Sequence, residues 1–185
     1  MWFLTQEGVD RYDGKYIKHY NFSDDSIKLD SRIALNWLYM DSGNILWVIG
    51  QKGRIFRYDS QHDKFELAYV HPELIRNKPQ AFLNYGYLDK NDRIWLCYKD
   101  SITWYDIRTG TTLHMPTPVN GEITAIEQTD DHHFFIGTGS GLFHARIEKG
   151  KLNIIPDKMM EGIGTSVHEL YYHAVSKQLF VGNYK

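Results

Sequence analysis

Hydrophobic and polar residues alternate in short runs along most of the chain, and one five-residue pattern returns at nearly regular intervals. Each copy has an aromatic residue at its second position, and the copies are MWFLT (1–5), LWVIG (46–50), IWLCY (94–98), FFIGT (134–138) and LFVGN (179–183). The aromatic positions are 45, 48, 40 and 45 residues apart. Alternation over short runs predicts half-buried β-strands, and a fixed repeat of this length is typical of β-propeller blades.

Each repeat contains four strand-like segments separated by turn sequences. In the second repeat the segments are 33–40, 45–50, 54–59 and 64–70. The turn DSGN at 41–44 contains Asp, Gly and Asn, which tolerate the left-handed backbone of tight hairpins. We therefore expect antiparallel four-stranded blades, stacked face to face, with the aromatic residue of each second strand packed between neighbouring blades.

The repeat predicts one all-β domain: a β-propeller fragment with three complete four-stranded blades and a partial blade at both ends. The predicted boundaries are a partial blade at 1–21, blades at 33–70, 81–116 and 123–156, and a partial blade at 168–185. Partial blades would leave apolar faces and strand edges uncovered. We expect the terminal strands either to complete a closed ring or to leave an open ring that forms a homodimer.

Composition and charge exclude several classes of function. The net charge is −2 and the basic residues are scattered, so nothing favours nucleic-acid binding. The single cysteine, Cys97, excludes an internal disulfide and a thiolate metal cluster, and its apolar surroundings predict a buried thiol. The sequence predicts neither an apolar stretch long enough to span a bilayer nor a signal peptide within these residues.

Three motifs suggest chemistry, but each fits a hairpin better. The glycine-rich run at 137–141 resembles a phosphate-binding loop, yet a strand-like segment follows where such a loop needs a helix. His132 and His133 are adjacent, so on a strand they point to opposite faces and would not share a metal ion. The pair Asp130 and Asp131 lies where a hairpin needs Asp. We predict no catalytic residue, metal site or cofactor.

Two sets of residues are candidates for ligand binding. Links between blades and loops between second and third strands share one rim, where binding groups usually collect. The candidates in these links are Arg32, His71, Arg76, Asn77 and Asn120. Polar residues at equivalent positions of successive inner strands would line a wet channel or bind a ligand at its mouth. These residues are Asn36, Asn84, Thr124 and Glu169.

The sequence resembles the periplasmic regulator-propeller repeats of hybrid two-component sensors in gut Bacteroidetes. The match is strongest in Trp2 to Thr5 with Gly8 to Gly14, in Asp41 to Gly50 with Gly53 to Asp59, and in Phe135 to Thr138 with Gly141 to Phe143. The run Arg11-Tyr12-Asp13-Gly14 is similar to the first blade of such sensors. The repeat at 81–116 departs from the family by lacking the turn glycines.

The resemblance implies a non-enzymatic sensory fragment of an inner-membrane histidine kinase, located in the periplasm. It implies an oligosaccharide ligand, recognition by the outer part of the protein, and relay to a kinase and a DNA-binding module elsewhere in the sensor. Two alternatives stay open: a propeller lyase or glycoside-active enzyme, which would need a histidine and an acid brought together, and a protein-interaction scaffold with an apolar patch on its rim.

Overall fold

The computed structural model describes residues 1–5, 7–22, 34–72, 82–155 and 166–183. The chain divides into two compact units, Met1–Phe82 and Leu83–Lys185, which are described separately here. All the strand pairings in both units are antiparallel.

The first unit contains a three-stranded sheet and a four-stranded sheet, each with its strands in chain order. The three-stranded sheet comprises β1 (Trp2–Leu4), β2 (Val9–Tyr12) and β3 (Ile17–Tyr20). The four-stranded sheet comprises β4 (Leu35–Met40), β5 (Leu46–Gly50), β6 (Arg54–Asp59) and β7 (Lys64–Val70). Their core is formed by Val9, Tyr20, Phe22, Val48 and Phe56.

A polar cluster joins these two sheets around Asp63, which has a φ of 50° in the turn between β6 and β7. Its carboxylate is bound by Lys18 Nζ at 2.6 Å, Tyr20 Oη at 2.6 Å, Tyr58 Oη at 2.5 Å and Arg11 Nη1 at 2.8 Å. These bonds, that of Lys18 foremost, hold the pKa of Asp63 well below its ordinary range. The first unit is thus held together by a saturated ion cluster in addition to its apolar core.

The second unit contains two four-stranded sheets and one two-stranded sheet. The first sheet comprises β8 (Tyr85–Leu88), β9 (Arg93–Cys97), β10 (Ser101–Asp106) and β11 (Thr112–Pro116). The second comprises β12 (Ile123–Gln128), β13 (His133–Thr138), β14 (Gly141–Glu148) and β15 (Lys151–Ile155). The third comprises β16 (Val167–His173) and β17 (Gln178–Asn183).

The core of the second unit lies between its two four-stranded sheets. Trp95 on β9 and Phe134 on β13 are fully buried, and their ring centroids lie 4.8 Å apart. Trp104, Ile126, Ile136 and other apolar residues of both sheets complete the same cluster. Cys97 is buried in it as an unpaired thiol, and burial raises the pKa of that thiol.

The predicted all-β fold of four-stranded antiparallel blades with partial blades at both ends is confirmed. Strand bounds differ from the predicted segments by a few residues, most clearly at β8, which begins at Tyr85 and not at 81. Asn84 N donates to Cys97 O at 2.9 Å, although the Cα partner of Cys97 is Tyr85. Two residues therefore face one at this point, which is a bulge, and the regular ladder starts after it.

The expected packing of the repeat aromatic holds in some blades and fails in others. Trp47 and Trp95 are buried, and Trp95 packs between two sheets, as predicted. Phe135 is half-buried, and Phe180 is 55% exposed. Phe135 is less buried than Trp95 because the turn that precedes it has a different sequence.

Candidate ligand-binding cleft

In two blades the repeat aromatic is fixed by a carboxylate in the turn before it. Asp89 Oδ2 accepts hydrogen bonds from Trp95 Nε1 and from Arg93 Nε, both at 2.8 Å. Asp89 Oδ1 accepts from the backbone N–H groups of Asn91 at 2.9 Å and Arg93 at 3.0 Å. The carboxylate thus closes the turn and satisfies the buried indole at the same time.

Asp41 makes the same arrangement one blade earlier. Its Oδ2 accepts from Trp47 Nε1 at 2.8 Å, and its Oδ1 accepts from the backbone N–H groups of Gly43 at 2.9 Å and Ile45 at 2.8 Å. The carboxylate and the indole therefore occur together in β4–β5 and in β8–β9.

In the sheet β12–β15 both members of this pair are replaced. The strand pairing aligns Phe135 with Trp95, since their partners on the next strand are His144 and Trp104. Thr129 stands where Asp41 and Asp89 stand, and its Oγ1 donates to His133 O at 3.3 Å. Phenylalanine has no N–H that would need an acceptor, so the repeat tolerates the loss of the carboxylate here.

The next residue, Asp130, organises this turn instead. Its Oδ1 accepts from the backbone N–H groups of His132 and His133, both at 3.0 Å, and His133 Nδ1 lies 2.9 Å from each carboxylate oxygen. Although partial burial opposes it, these bonds hold the pKa of Asp130 below its ordinary value. Asp130 and His133 therefore form a fixed acid–imidazole pair.

This pair opens onto a cleft of about 370 Å³ between the β12–β13 turn and the β16–β17 hairpin. The lining residues are Thr129, Asp130, His133, Phe135, His144, Tyr172 and Lys177. Phe135 and His144 are paired across adjacent strands and stack with ring centroids 4.9 Å apart at 24°. His133 lies on the same side, with its ring centroid 5.6 Å from that of His144.

The opposite wall comes from β16 and the turn that follows it. Tyr172 N donates to Glu127 Oε1 at 3.2 Å, which links this wall to β12. Burial raises the pKa of Glu127, against the effect of that N–H group and of Lys90. Lys177 has a φ of 54° in the hairpin turn and is exposed, and it has no acidic partner among the residues that the structure describes.

The cleft combines aromatic faces with hydrogen-bonding groups of several kinds. Stacked rings suit the C–H face of a sugar or another flat ligand, and the hydroxyl, imidazole and ammonium groups suit its polar edge. Within the described ranges, no three His, Cys, Asp or Glu side chains are grouped closely enough to hold a metal ion. The geometry is that of an open site for a small polar ligand.

Among the predicted rim residues, the structure places Asn120 away from this cleft. Arg32, Arg76 and Asn77 lie outside the described residues. His71 follows β7 and is half-buried. Asn120 is exposed in the link before β12, where its carbonyl accepts from Ser140 Oγ at 2.8 Å. The cleft lies at the opposite end of the strands, beside the turns between first and second strands.

The predicted polar column lies on a repeated β-bulge, with one correction. The register shifts after Leu35, Ile123 and Val167, which makes the next residue the extra one in each strand. The column is therefore Asn36, Asn84, Thr124 and His168. Glu169 is the wrong member, because it follows the bulge and pairs with Gly182.

The bulge residues differ in what they contact. Asn36 and His168 are exposed, and His168 Nε2 lies 2.9 Å from Ser166 Oγ. Thr124 Oγ1 donates to Val167 O and so joins β12 to β16. Asn84 Nδ2 is buried, and it has no hydrogen-bond partner in the described part of the chain.

From the sequence, Asp130 and His133 are expected only as residues of a hairpin tip. The sequence does not indicate that His144, Tyr172 and Lys177 form a group with them. A signal was present in the alignment of the repeats. His144 occupies the position of the buried Trp104, and Thr129 the position of Asp89. A simultaneous loss of the repeat Trp and its Asp marks the face that is not packed like the others.

Comparison by sequence identifies no relative, since no protein-family model and no curated protein matches the chain. Within the described residues, no helix has the length and hydropathy needed to cross a membrane.

Solved structures resemble the chain along nearly its whole length. The extracellular domain of BT3049 from B. thetaiotaomicron, described as a hybrid two-component system, matches 98% of the chain with a TM-score of 0.70 and 20% identity. The extracellular domain of BT4673 from the same organism matches 98% with a TM-score of 0.69 and 16% identity. Virginiamycin B lyase from Staphylococcus aureus also matches 98%, with a TM-score of 0.69 and 16% identity.

These likenesses differ in how much of each known protein they include. The chain spans 26% and 24% of the two extracellular domains and 59% of the lyase. The resemblance to sensor propellers that the sequence indicated is confirmed at the level of the fold. The chain has the β-propeller fold that these extracellular sensor domains share with the lyase.

Proposed function

We propose that the chain is part of an extracytoplasmic sensory propeller that binds a glycan-derived ligand without catalysis. The observation that carries the proposal is the match of 98% of the chain to the extracellular domain of a two-component system. The ligand occupies the cleft between the β12–β13 turn and the β16–β17 hairpin. Its binding is relayed to a histidine kinase elsewhere in the intact protein.

The composition of the cleft supports a carbohydrate. One face of a sugar ring packs against the stacked rings of Phe135 and His144, and its hydroxyl groups bond to Tyr172, His133 and Lys177. Asp130 is already engaged by His133 and by two backbone N–H groups. We therefore assign Asp130 and His133 to positioning and binding.

A second candidate function is a lyase, because the similar lyase structure matches 98% of the chain and the cleft contains an acid–imidazole pair. In that case His133 would act as a general base held by Asp130. Binding and turnover distinguish the two candidates, since a sensor returns its ligand unchanged.

The test is a thermal-shift screen of the protein against neutral and acidic oligosaccharides, followed by mass spectrometry of the recovered sugar. We expect a rise in Tm with at least one sugar, loss of that rise in His144→Ala, and recovery of intact sugar. The variant Glu122→Gln, an exposed change in the link before β12, serves as the control. Cleavage of the sugar would favour the lyase, and the absence of any shift would contradict glycan binding in this chain.

Location is tested separately in the host cell. Protease added to spheroplasts should digest the propeller while a cytoplasmic marker stays intact. Protection of both would contradict an extracytoplasmic position.

A further inference from the structure

Asp130 in the cleft and Glu127 beside it already have hydrogen-bond partners. Both carboxylate oxygens of Asp130 face His133 Nδ1 at 2.9 Å, and Oδ1 also accepts two backbone N–H groups. Glu127, on the adjoining strand, accepts from Tyr172 N. Neither carboxylate is therefore the natural counter-ion of Lys177, which is the lysine in the cleft lining.

Comparison with the two preceding blades shows that one turn position in the cleft has lost its carboxylate. In the two preceding blades an aspartate at this position of the turn accepts from side chains on the same face, and in β8–β9 one of these is the cation Arg93. Thr129 replaces that aspartate in the cleft and supplies a hydroxyl in place of a charge. The cleft thus has a cation, Lys177, from the β16–β17 turn, but at the turn position where the fold places Asp89 beside Arg93 one blade earlier it has the uncharged Thr129.

Resting on the proposed function, we infer that the glycan bound here is acidic, and that the carboxylate of a hexuronate residue pairs with Lys177 at the place beside Thr129 where the repeat has lost its own. The sugar ring stacks on His144 and Phe135, and hydroxyl groups reach His133 and Tyr172. The carboxylate of the ligand takes over the electrostatic role that Asp89 has in the neighbouring blade.

The size of the preference follows from the exposure of the site. An exposed ion pair discriminates weakly, because water and salt screen it. We expect trigalacturonate to bind about two- to fivefold more tightly than its fully methyl-esterified form at low ionic strength. The ester is a matched probe, since it keeps the ring and its hydroxyl groups and replaces each carboxylate by an uncharged methyl ester.

The experiment is calorimetric titration of the protein with trigalacturonate, its methyl ester and maltotriose, at low salt and at 0.5 M NaCl. Lys177→Met should remove the preference for the acid, whereas the exposed Lys99→Gln in the β9–β10 turn should keep it. Thr129→Asp restores the carboxylate of the repeat and should weaken acid binding up to about fivefold relative to Thr129→Asn, which has the same size and no charge.

The outcomes separate the two proposals. Tighter binding of the acid, sensitive to salt and lost in Lys177→Met and Thr129→Asp, supports the inference. Equal or tighter binding of the ester or of maltotriose overturns the acidic preference and leaves glycan binding in place. Binding of none of the three, with no thermal shift by any other oligosaccharide, overturns both.

Discussion

The same positions of the repeat build a closed cluster on one sheet and an open cleft on the next. On β8–β11, Asp89, Trp95 and Trp104 form a packed group, and Arg93 Cζ lies 5.0 Å from the ring centroid of Trp104. Phe134 of the following sheet covers Trp95. On β12–β15, the aligned residues Thr129, Phe135, His133 and His144 line the cleft.

The difference shows how the repeat separates stability from recognition. A buried indole requires an acceptor, and a buried carboxylate requires several donors, so the aspartate and tryptophan of one blade support each other. Once the tryptophan becomes phenylalanine, the aspartate is no longer needed. The face is then free to carry imidazole and hydroxyl groups, which can titrate and bind ligands.

The largest expected effect is on the pair Phe134 and Phe135, which are adjacent in β13 and point to opposite faces. Phe134 is fully buried against Trp95, so Phe134→Ala should lower the free energy of unfolding by about 3–5 kcal/mol. Phe135→Ala, on the cleft face, should cost about 1–2 kcal/mol, because the half-buried ring loses less packing than a core ring. Urea denaturation of both variants measures the difference. Equal losses of unfolding free energy in the two variants would show that the cleft face of β13 is packed as tightly as the core face.

The turn residues give the second contrast. Asp89→Ala leaves the indole of Trp95, Arg93 and two backbone N–H groups without their acceptor, and should cost about 2–4 kcal/mol. Thr129→Ala removes one weak hydroxyl bond and should cost below about 1 kcal/mol. Denaturation followed by tryptophan fluorescence measures both. A loss in Thr129→Ala as large as in Asp89→Ala would contradict the assignment of Asp89 as the anchor of the repeat.

Much of the fold could be predicted from the sequence because its signals are local. Alternation of apolar residues defined the strands, and Asp, Asn and Gly defined the turns. The register of the inner strands could not be predicted, since a bulge adds one residue without changing composition. Because of that extra residue, the fourth member of the polar column is His168 and not Glu169.

The cleft was harder to predict because its residues are far apart in the sequence and each resembles an ordinary surface residue. Thr129 becomes informative only when it is aligned with Asp89, and His144 only when it is aligned with Trp104. These alignments depend on strand pairings that are visible in the structure and not in the sequence. We expected binding groups in the links between blades, and these links lie at the other end of the strands from the cleft.

The third test concerns a close approach that the cleft side of β13 makes and β9 does not. Gly137 aligns with Cys97, and a Cβ added to it would lie 2.6 Å from Val167 Cγ1 and 3.2 Å from Ala125 Cβ. Gly137→Ala should therefore push β16 away and cost about 1–3 kcal/mol. Gly139→Ala is the control, because an added Cβ there meets nothing within 4 Å. Denaturation midpoints compare the two, and identical midpoints would exclude close packing of β16 on β13.

The smallest expected effect is a difference between the two sheets in how the free energy of unfolding depends on pH. Glu127 pairs with Phe135 as Tyr87 pairs with Trp95, so one sheet has a carboxyl where the other has a phenol. Burial raises the pKa of Glu127, and the folded protein therefore holds the proton more tightly than the unfolded chain. The stability that this proton contributes is complete below the ordinary Glu pKa of about 4.3 and is lost as pH rises through the raised value.

Glu127→Gln keeps an acceptor for Tyr172 N and removes the ionised form. The variant should exceed the wild type in free energy of unfolding at pH 7, and the advantage should disappear near pH 4. Denaturation at pH 4, 5.5 and 7 measures this, with the exposed Glu122→Gln as the control. A variant that is less stable at pH 7, or one with an unchanged pH profile, would mean that the Glu127 carboxylate is solvated and that the cleft wall is wetter than its packing indicates.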